Sequence, residues 1–115
     1  MEDYKFTVMW KDEEMVDVEL YDRRKKVRIK KHQNIFPSNP FYGGEVTVER
    51  VYRFLESRCM DRNRPCLLAY LEGLGLEEYN PYEIVKITHG TMWEDFNWIR
   101  FPGEEIVWKD VKLRD

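Results

Sequence analysis

The sequence predicts an α+β fold in a single domain, and three observations carry that prediction. The first third alternates apolar and polar residues with a period of two, as half-buried strands do. The middle holds short amphipathic runs that open on helix-capping residues. The last part has two aromatic-rich extended runs around Pro102-Gly103. A chain of 115 residues can build one core and is too short for two ordinary domains. The expected organisation is a β-meander over 1–31, a loop over 32–46, a helical part over 47–97 and a C-terminal β-hairpin over 98–113.

The first strand is read from Tyr4, Phe6, Val8 and Trp10, which alternate with Lys5, Thr7 and Met9. A second alternation places Val16, Val18 and Leu20 opposite Asp17 and Glu19, and a third sets Val27 and Ile29 between Lys26, Arg28 and Lys30. Short polar turns between them predict an antiparallel meander. A two-residue loop at Asp22-Arg23 would pair Val18 with Val27 and Val16 with Ile29. The same register sets Glu19 opposite Lys26 and Asp17 opposite Arg28, so apolar and charged faces are satisfied together.

That pairing also addresses a marked charge segregation. Residues 1–22 carry eight acids and two bases, whereas residues 23–31 carry seven bases and no acid, within a net charge of -3. After Lys31 the segment HQNIFPSNPFYGG reads as a loop, with Ile35, Phe36 and Phe41 as anchors against the core.

Thr47 is placed to cap a helix whose apolar positions Val48, Val51, Tyr52, Leu55 and Cys59 follow helical spacing, with Phe54 widening the stripe. A second helix is expected from Pro65, with Leu67, Leu68, Leu71 and Leu74 as its apolar face and Gly73 and Gly75 ending it. Asn80-Pro81-Tyr82-Glu83 predicts a third helix with an Asn cap, Pro in the first position and Glu83 reaching back. Thr91 to Glu94 repeats that capping pattern for a further turn. Phe96 to Phe101 and Ile106 to Val111 are read as the two closing strands, with Trp98 and Trp108 supplying much of their buried surface.

No apolar run approaches the roughly 18 residues that cross a bilayer, and the beginning MEDYKF is acidic where a signal peptide is basic and then apolar. A cytoplasmic location without membrane association is expected. In a reducing compartment Cys59 and Cys66 are expected as packing thiols, not a bridge. With His32 and His89 they have no CxxC or HxxxH spacing, so neither a metal nor a cofactor is expected.

Arg58, Arg62 and Arg64, with Arg50 and Arg53 before them, form a cationic cluster that could grip phosphate or carboxylate, or else cap helix ends and pair with Asp61, Glu56 or Asp95. His89 with Asp95 has the makings of a general base, but no Ser or Cys stands in a motif that would complete a nucleophilic site. His89 before Gly90 reads more simply as a helix C-terminal residue. The basic strand offers Arg24, Lys26, Arg28 and Lys30 to a nucleic-acid backbone, with aromatic residues available for stacking. The acidic pI of about 5.5 and the facing Asp17 and Glu19 oppose that reading.

Within residues 58–101, Arg58 and Arg64 flank a short turn, Leu67 to Leu76 forms a leucine-rich run ending in LGL, and Thr88-His89-Gly90 precedes Asp95 with Phe96 to Ile99. This stretch resembles a segment near the N-terminus of HipA-type kinases that also occurs alone in short proteins of bacterial prophages and mobile elements. It departs from the usual pattern at Asp61 and Pro65. The resemblance implies an internal clamp in which Asp95 holds an arginine of the 58–64 turn, with Trp98 buried beside the leucine-rich helix. It does not extend to kinase chemistry, because the chain has no glycine-rich phosphate loop, catalytic Asp-to-Asn stretch or metal-binding triplet of the kinase type. The function expected is that of a non-enzymatic accessory or regulatory protein of a mobile element. It would act by binding another protein, in a toxin-antitoxin-like or host-interference role, with nucleic-acid binding through residues 23–31 as the alternative.

Overall fold

A computed structural model of the chain describes residues 3–33 and 39–113. The elements are β1 (Tyr4–Trp10), β2 (Glu13–Tyr21), β3 (Lys26–Lys31), α1 (Val48–Ser57), α2 (Leu67–Leu74), α3 (Pro81–Thr88), β4 (Asn97–Arg100) and α4 (Trp108–Val111). The strands form one antiparallel sheet in the order β3-β2-β1-β4. The chain is thus an α+β domain with a four-stranded antiparallel sheet.

The period-two pattern assigns the strand faces as expected. Tyr4, Phe6, Val8, Val16, Val18 and Leu20 are buried in a core completed by Val51 and Leu55 of α1, Tyr82 and Val85 of α3, Phe41 and Ile99. Tyr82 lies flat on Tyr4, with ring centroids 3.7 Å apart and planes 7° from parallel. Lys5, Thr7, Asp17, Glu19, Arg28 and Arg100 take the opposite face. One corner of that face is apolar: Met9, Trp98 and Trp108 form a second buried cluster, joined by Phe96, Ile106 and Val111.

The β2–β3 register differs from the expected one by two residues. Val18 faces Ile29, Leu20 faces Val27, Glu19 faces Arg28 and Asp17 faces Lys30. The connection is four residues long, and Asp22, Arg23 and Arg24 all have positive φ, a conformation open to few non-glycine residues. A slip of two keeps every side chain on its face. The longer loop lets the Arg24 guanidinium lie 4.4 Å from the Tyr4 ring centroid, and the register brings Arg28 to 4.5 Å from that of Tyr21. The ion pairs shift accordingly. Arg28 donates to Glu19 at 2.9 Å and Lys26 approaches Asp22 at 3.8 Å.

The helical caps at Thr47 and Asn80 form as the sequence predicts, with Thr47 Oγ1 accepting from Arg50 N and Asn80 Oδ1 from Tyr82 N and Glu83 N. The Glu83 side chain instead approaches Lys86, at 3.7 Å. The second helix begins at Leu67, after a turn that contains Pro65, and of its four leucines only Leu71 is buried while Leu68 is 75% exposed. Thr91 to Glu94 makes a turn and no helix. Ile35 and Phe36 lie outside the described residues, whereas the third anchor, Phe41, is buried.

The C-terminal hairpin is replaced by one strand and a helical turn. β4 pairs with β1, extending the sheet, but the chain beyond Phe101 adds no second strand among the described residues. Its backbone donors are committed to a cap: Val107 N donates to Asp110 Oδ2 at 3.0 Å and Trp108 N to Asp12 Oδ1 at 2.9 Å. Trp108 thereby turns onto the Met9–Trp98 corner.

The observed register makes a direct prediction. A double-mutant cycle between Glu19 and Arg28 is expected to return a coupling of about 0.2–1 kcal/mol in urea unfolding, and a cycle between Glu19 and Lys26 none. Coupling at Lys26 in place of Arg28 would restore the two-residue loop.

Candidate functional site

Helix α1 ends on Arg58, whose backbone N–H caps the helix by donating to Leu55 O. Its side chain runs inward, only 7% exposed, toward the chain that links α3 to β4. Nε donates to Gly90 O at 2.7 Å, while the two terminal nitrogens donate to Asp95 Oδ2 and Oδ1, each at 2.8 Å. One of them also donates to Asn97 O at 2.8 Å. The planar guanidinium suits this task because its donors are fixed in a fork that matches a carboxylate.

The neighbours of the clamp are fitted to it. Gly90 has φ +65°, and a Cβ there would stand 3.2 Å from Ile99 Cδ1 and 3.3 Å from Arg58 Cβ, so a side chain would be strained in the backbone and would press on both neighbours. Asp95 Oδ1 also accepts from Asn97 N, and the buried Asn97 amide donates to Met9 O at 2.9 Å. Arg58 and Asp95 thus connect a helix end to the β4–β1 seam.

His89 is drawn into a different set of bonds. It occupies the left-handed cap of α3 (φ 60°) with its N–H on Val85 O, and its carbonyl accepts from Ile99 N at 2.8 Å. Its ring nitrogen Nε2 is 2.8 Å from Glu104 Oε2, and Glu104 Oε1 accepts from Phe101 N. The partner of the imidazole is therefore Glu104 and not Asp95. Trp98 is fully buried, but against Met9 and Trp108 and not against α2, with Nε1 donating to Lys11 O.

The other two arginines of the cluster face outward. Arg62 sits 3.5 Å from Glu56 and its guanidinium lies over the Tyr79 ring at 4.9 Å. Arg64 donates its backbone N–H to Asp61 O, while its exposed guanidinium makes no ion pair among the described residues. It lines a groove of about 490 Å³ with Met60, Tyr70, Thr88, Thr91, Met92 and Leu113, and Arg58, Cys59 and Asp61 line the same groove. Trp93, next to Met92, is 62% exposed and Leu113 is 51% exposed. Arg64 stands out in the sequence as part of the arginine cluster, whereas Met60, Met92 and Leu113 carry no motif that marks them.

Cys59 is half-buried beside the clamp and donates to Leu55 O. Burial chiefly, with a contribution from Glu56 and against the opposing effect of Arg58, pushes its thiol from 9.0 up to about 12. Cys66 is exposed, and neither cysteine is in a disulfide. Of the basic-strand candidates, Arg24 stacks on Tyr4, Lys26 pairs with Asp22 and Arg28 with Glu19; Lys30 is exposed on β3.

No family model, curated protein or solved structure matches the chain.

Two outcomes test this geometry. Asp95→Asn is expected to lower unfolding free energy by about 1–3 kcal/mol through loss of a charged, part-buried hydrogen bond, and Arg58→Lys to lower it at least as much, since an ammonium cannot span the carboxylate and both carbonyls. Unchanged urea midpoints would refute the clamp. At pH 8 a thiol-disulfide reagent is expected to titrate Cys66 quickly and Cys59 only on unfolding, because the thiolate is the reacting form. Equal rates for both would contradict the burial of Cys59.

Proposed function

We propose that this chain is a non-enzymatic accessory or regulatory protein of a mobile element that acts by binding another protein through the groove beside Arg64. The observation that carries the reading is the contrast between the two arginines flanking the 58–64 turn. Arg58 has its guanidinium consumed by Asp95, Gly90 and Asn97. Arg64, on the same groove, keeps an exposed guanidinium beside two methionines, a tyrosine, a leucine and Asp61. Methionine adapts its shape to a bound surface, and arginine, tyrosine, tryptophan and methionine are the residues enriched in protein interfaces. A peptide segment presenting an apolar side chain next to a carboxylate fits that lining.

The resemblance of residues 58–101 to the segment of HipA-type kinases and small mobile-element proteins supports a toxin-antitoxin-like or host-interference role for the interaction. A non-enzymatic role is supported by the engagement of the titratable residues singled out for chemistry: His89 is tied to Glu104, and Asp95 to Arg58. The nucleic-acid alternative draws on Lys30 and the rest of the basic strand, but three of its four cations already have partners within the domain.

The test is proximity cross-linking in the native host with a photoreactive residue at position 92, followed by binding measurements with the partner recovered. Arg64→Glu is expected to weaken that binding at least ten-fold while leaving thermal unfolding unchanged, and Lys30→Glu to leave it unaffected. A gel shift with oligonucleotides that falls steeply with salt, and is abolished by Lys30→Glu together with Arg28→Glu, would favour the alternative.

A further inference from the structure

β2 contains a bulge. Val8 pairs with Val16 but Met9 pairs with Glu14, so Met15 is an extra residue, and both Met15 and Val16 are buried. In an unbroken strand residues 14 and 17, an odd number apart, would point to opposite faces. The bulge turns Glu14 onto the outer face with Asp17. His32, immediately after β3, is brought to the same place, with its N–H donating to Met15 O at 2.8 Å.

The three side chains converge. His32 Nε2 stands 2.9 Å from Asp17 Oδ2 and 3.4 Å from Glu14 Oε2, and one donor atom of each residue lies within 4.8 Å of the others. Ligands about 2.0–2.1 Å from a tetrahedral zinc ion are about 3.3–3.4 Å from one another. The His32–Glu14 separation already has that value, and the His32–Asp17 separation, at hydrogen-bond length, would have to open by roughly 0.5 Å. The far oxygens of both carboxylates are held by other strands: Thr7 Oγ1 donates to Asp17 Oδ1 at 2.7 Å, and Arg100 donates to Glu14 Oε1 at 2.8 Å. Such outer bonds orient ligands in metal sites.

We propose that Glu14, Asp17 and His32 form a binding site for a divalent transition-metal ion of the zinc class. With no ion bound, the His32 Nε2–H donates to Asp17 Oδ2. With the ring proton on Nδ1 instead, Nε2 becomes an acceptor like the carboxylate oxygens, and the three acceptors then converge on a point that a metal ion can fill. The two carboxylates bring two negative charges, and Arg100 offsets one of them. The ligand set of one nitrogen and two oxygens favours zinc, nickel or cobalt over magnesium. His32 is 27% exposed and the carboxylates are 44% and 46% exposed, which leaves the remaining coordination positions to water.

The experiment is isothermal titration of the chelator-stripped full chain with zinc chloride, in a Cys66→Ser background so that the exposed thiol does not contribute. One zinc ion per chain is expected. His32→Ala and Asp17→Asn should each weaken binding at least ten-fold, and Thr7→Val, which frees the far oxygen of Asp17, about ten-fold. Circular dichroism of each variant checks that the sheet is intact, and magnesium chloride at the same concentration should give no saturable heat. Absence of zinc binding, or binding that survives His32→Ala in a folded variant, would overturn the proposal and leave the three residues as an ion-paired cluster only.

Discussion

The four bonds of the Arg58 guanidinium are the constraint on which the rest of the helical half depends. α1 and α3 bury only a few large side chains each, and helices of eight to ten residues do not hold themselves together in water. Arg58 fixes the end of α1 to the start of the β4 segment, and Asn97 passes that fixation to β1 through Met9 O. Glycine at position 90 suits the same arrangement: its carbonyl accepts from the arginine, and a Cβ there would press on the Arg58 and Ile99 side chains. The bonds to main-chain carbonyls are as important as the ion pair. A charge buried this deeply is tolerated because four of its five N–H donors meet an acceptor.

Much of this was legible in the sequence where the signal was local. The alternations of Tyr4 to Trp10 and Val16 to Leu20 fix which side chains face the core, and Thr47 and Asn80 fix where two helices begin. The β2–β3 register was not local in that sense. It depends on three consecutive left-handed residues, Asp22, Arg23 and Arg24, and no side chain there marks that choice as Asn-Gly would. Face assignment survived because a slip of two residues is invisible to a period of two.

The C-terminal segment failed for a different reason. Ile106 to Val111 has β-favouring residues, but Asp110 stands three positions after Val107, and Asp12 from a distant turn supplies a second acceptor for the same helical turn. Tertiary partners overrode a short run whose own preference was weak. Trp108 then covers Trp98, which is why Trp98 lies under α4 and away from α2. The convergence of Glu14, Asp17 and His32 was likewise hidden, since a search for closely spaced histidines and cysteines does not find ligands brought together by a bulge. Its trace in the sequence is the doubled apolar pair Met15-Val16, which breaks an otherwise regular alternation.

The basic run acquires a physical explanation that needs no ligand. Among the described residues β3 is an edge strand, and an edge presents free backbone groups to any further strand. Lys26, Arg28 and Lys30 line it on one face with charge, and the opposite edge, β4, is only four residues long. Both edges therefore resist the addition of another chain. Strand addition is disfavoured on this sheet, and the open groove lies instead on the helical side, lined by Arg64, Met60 and Met92 with Trp93 exposed beside it. The outer face of the sheet, with its charged side chains tied to one another across the strands, is suited to something smaller, such as an ion held by carboxylates that Thr7 of β1 and Arg100 of β4 already orient.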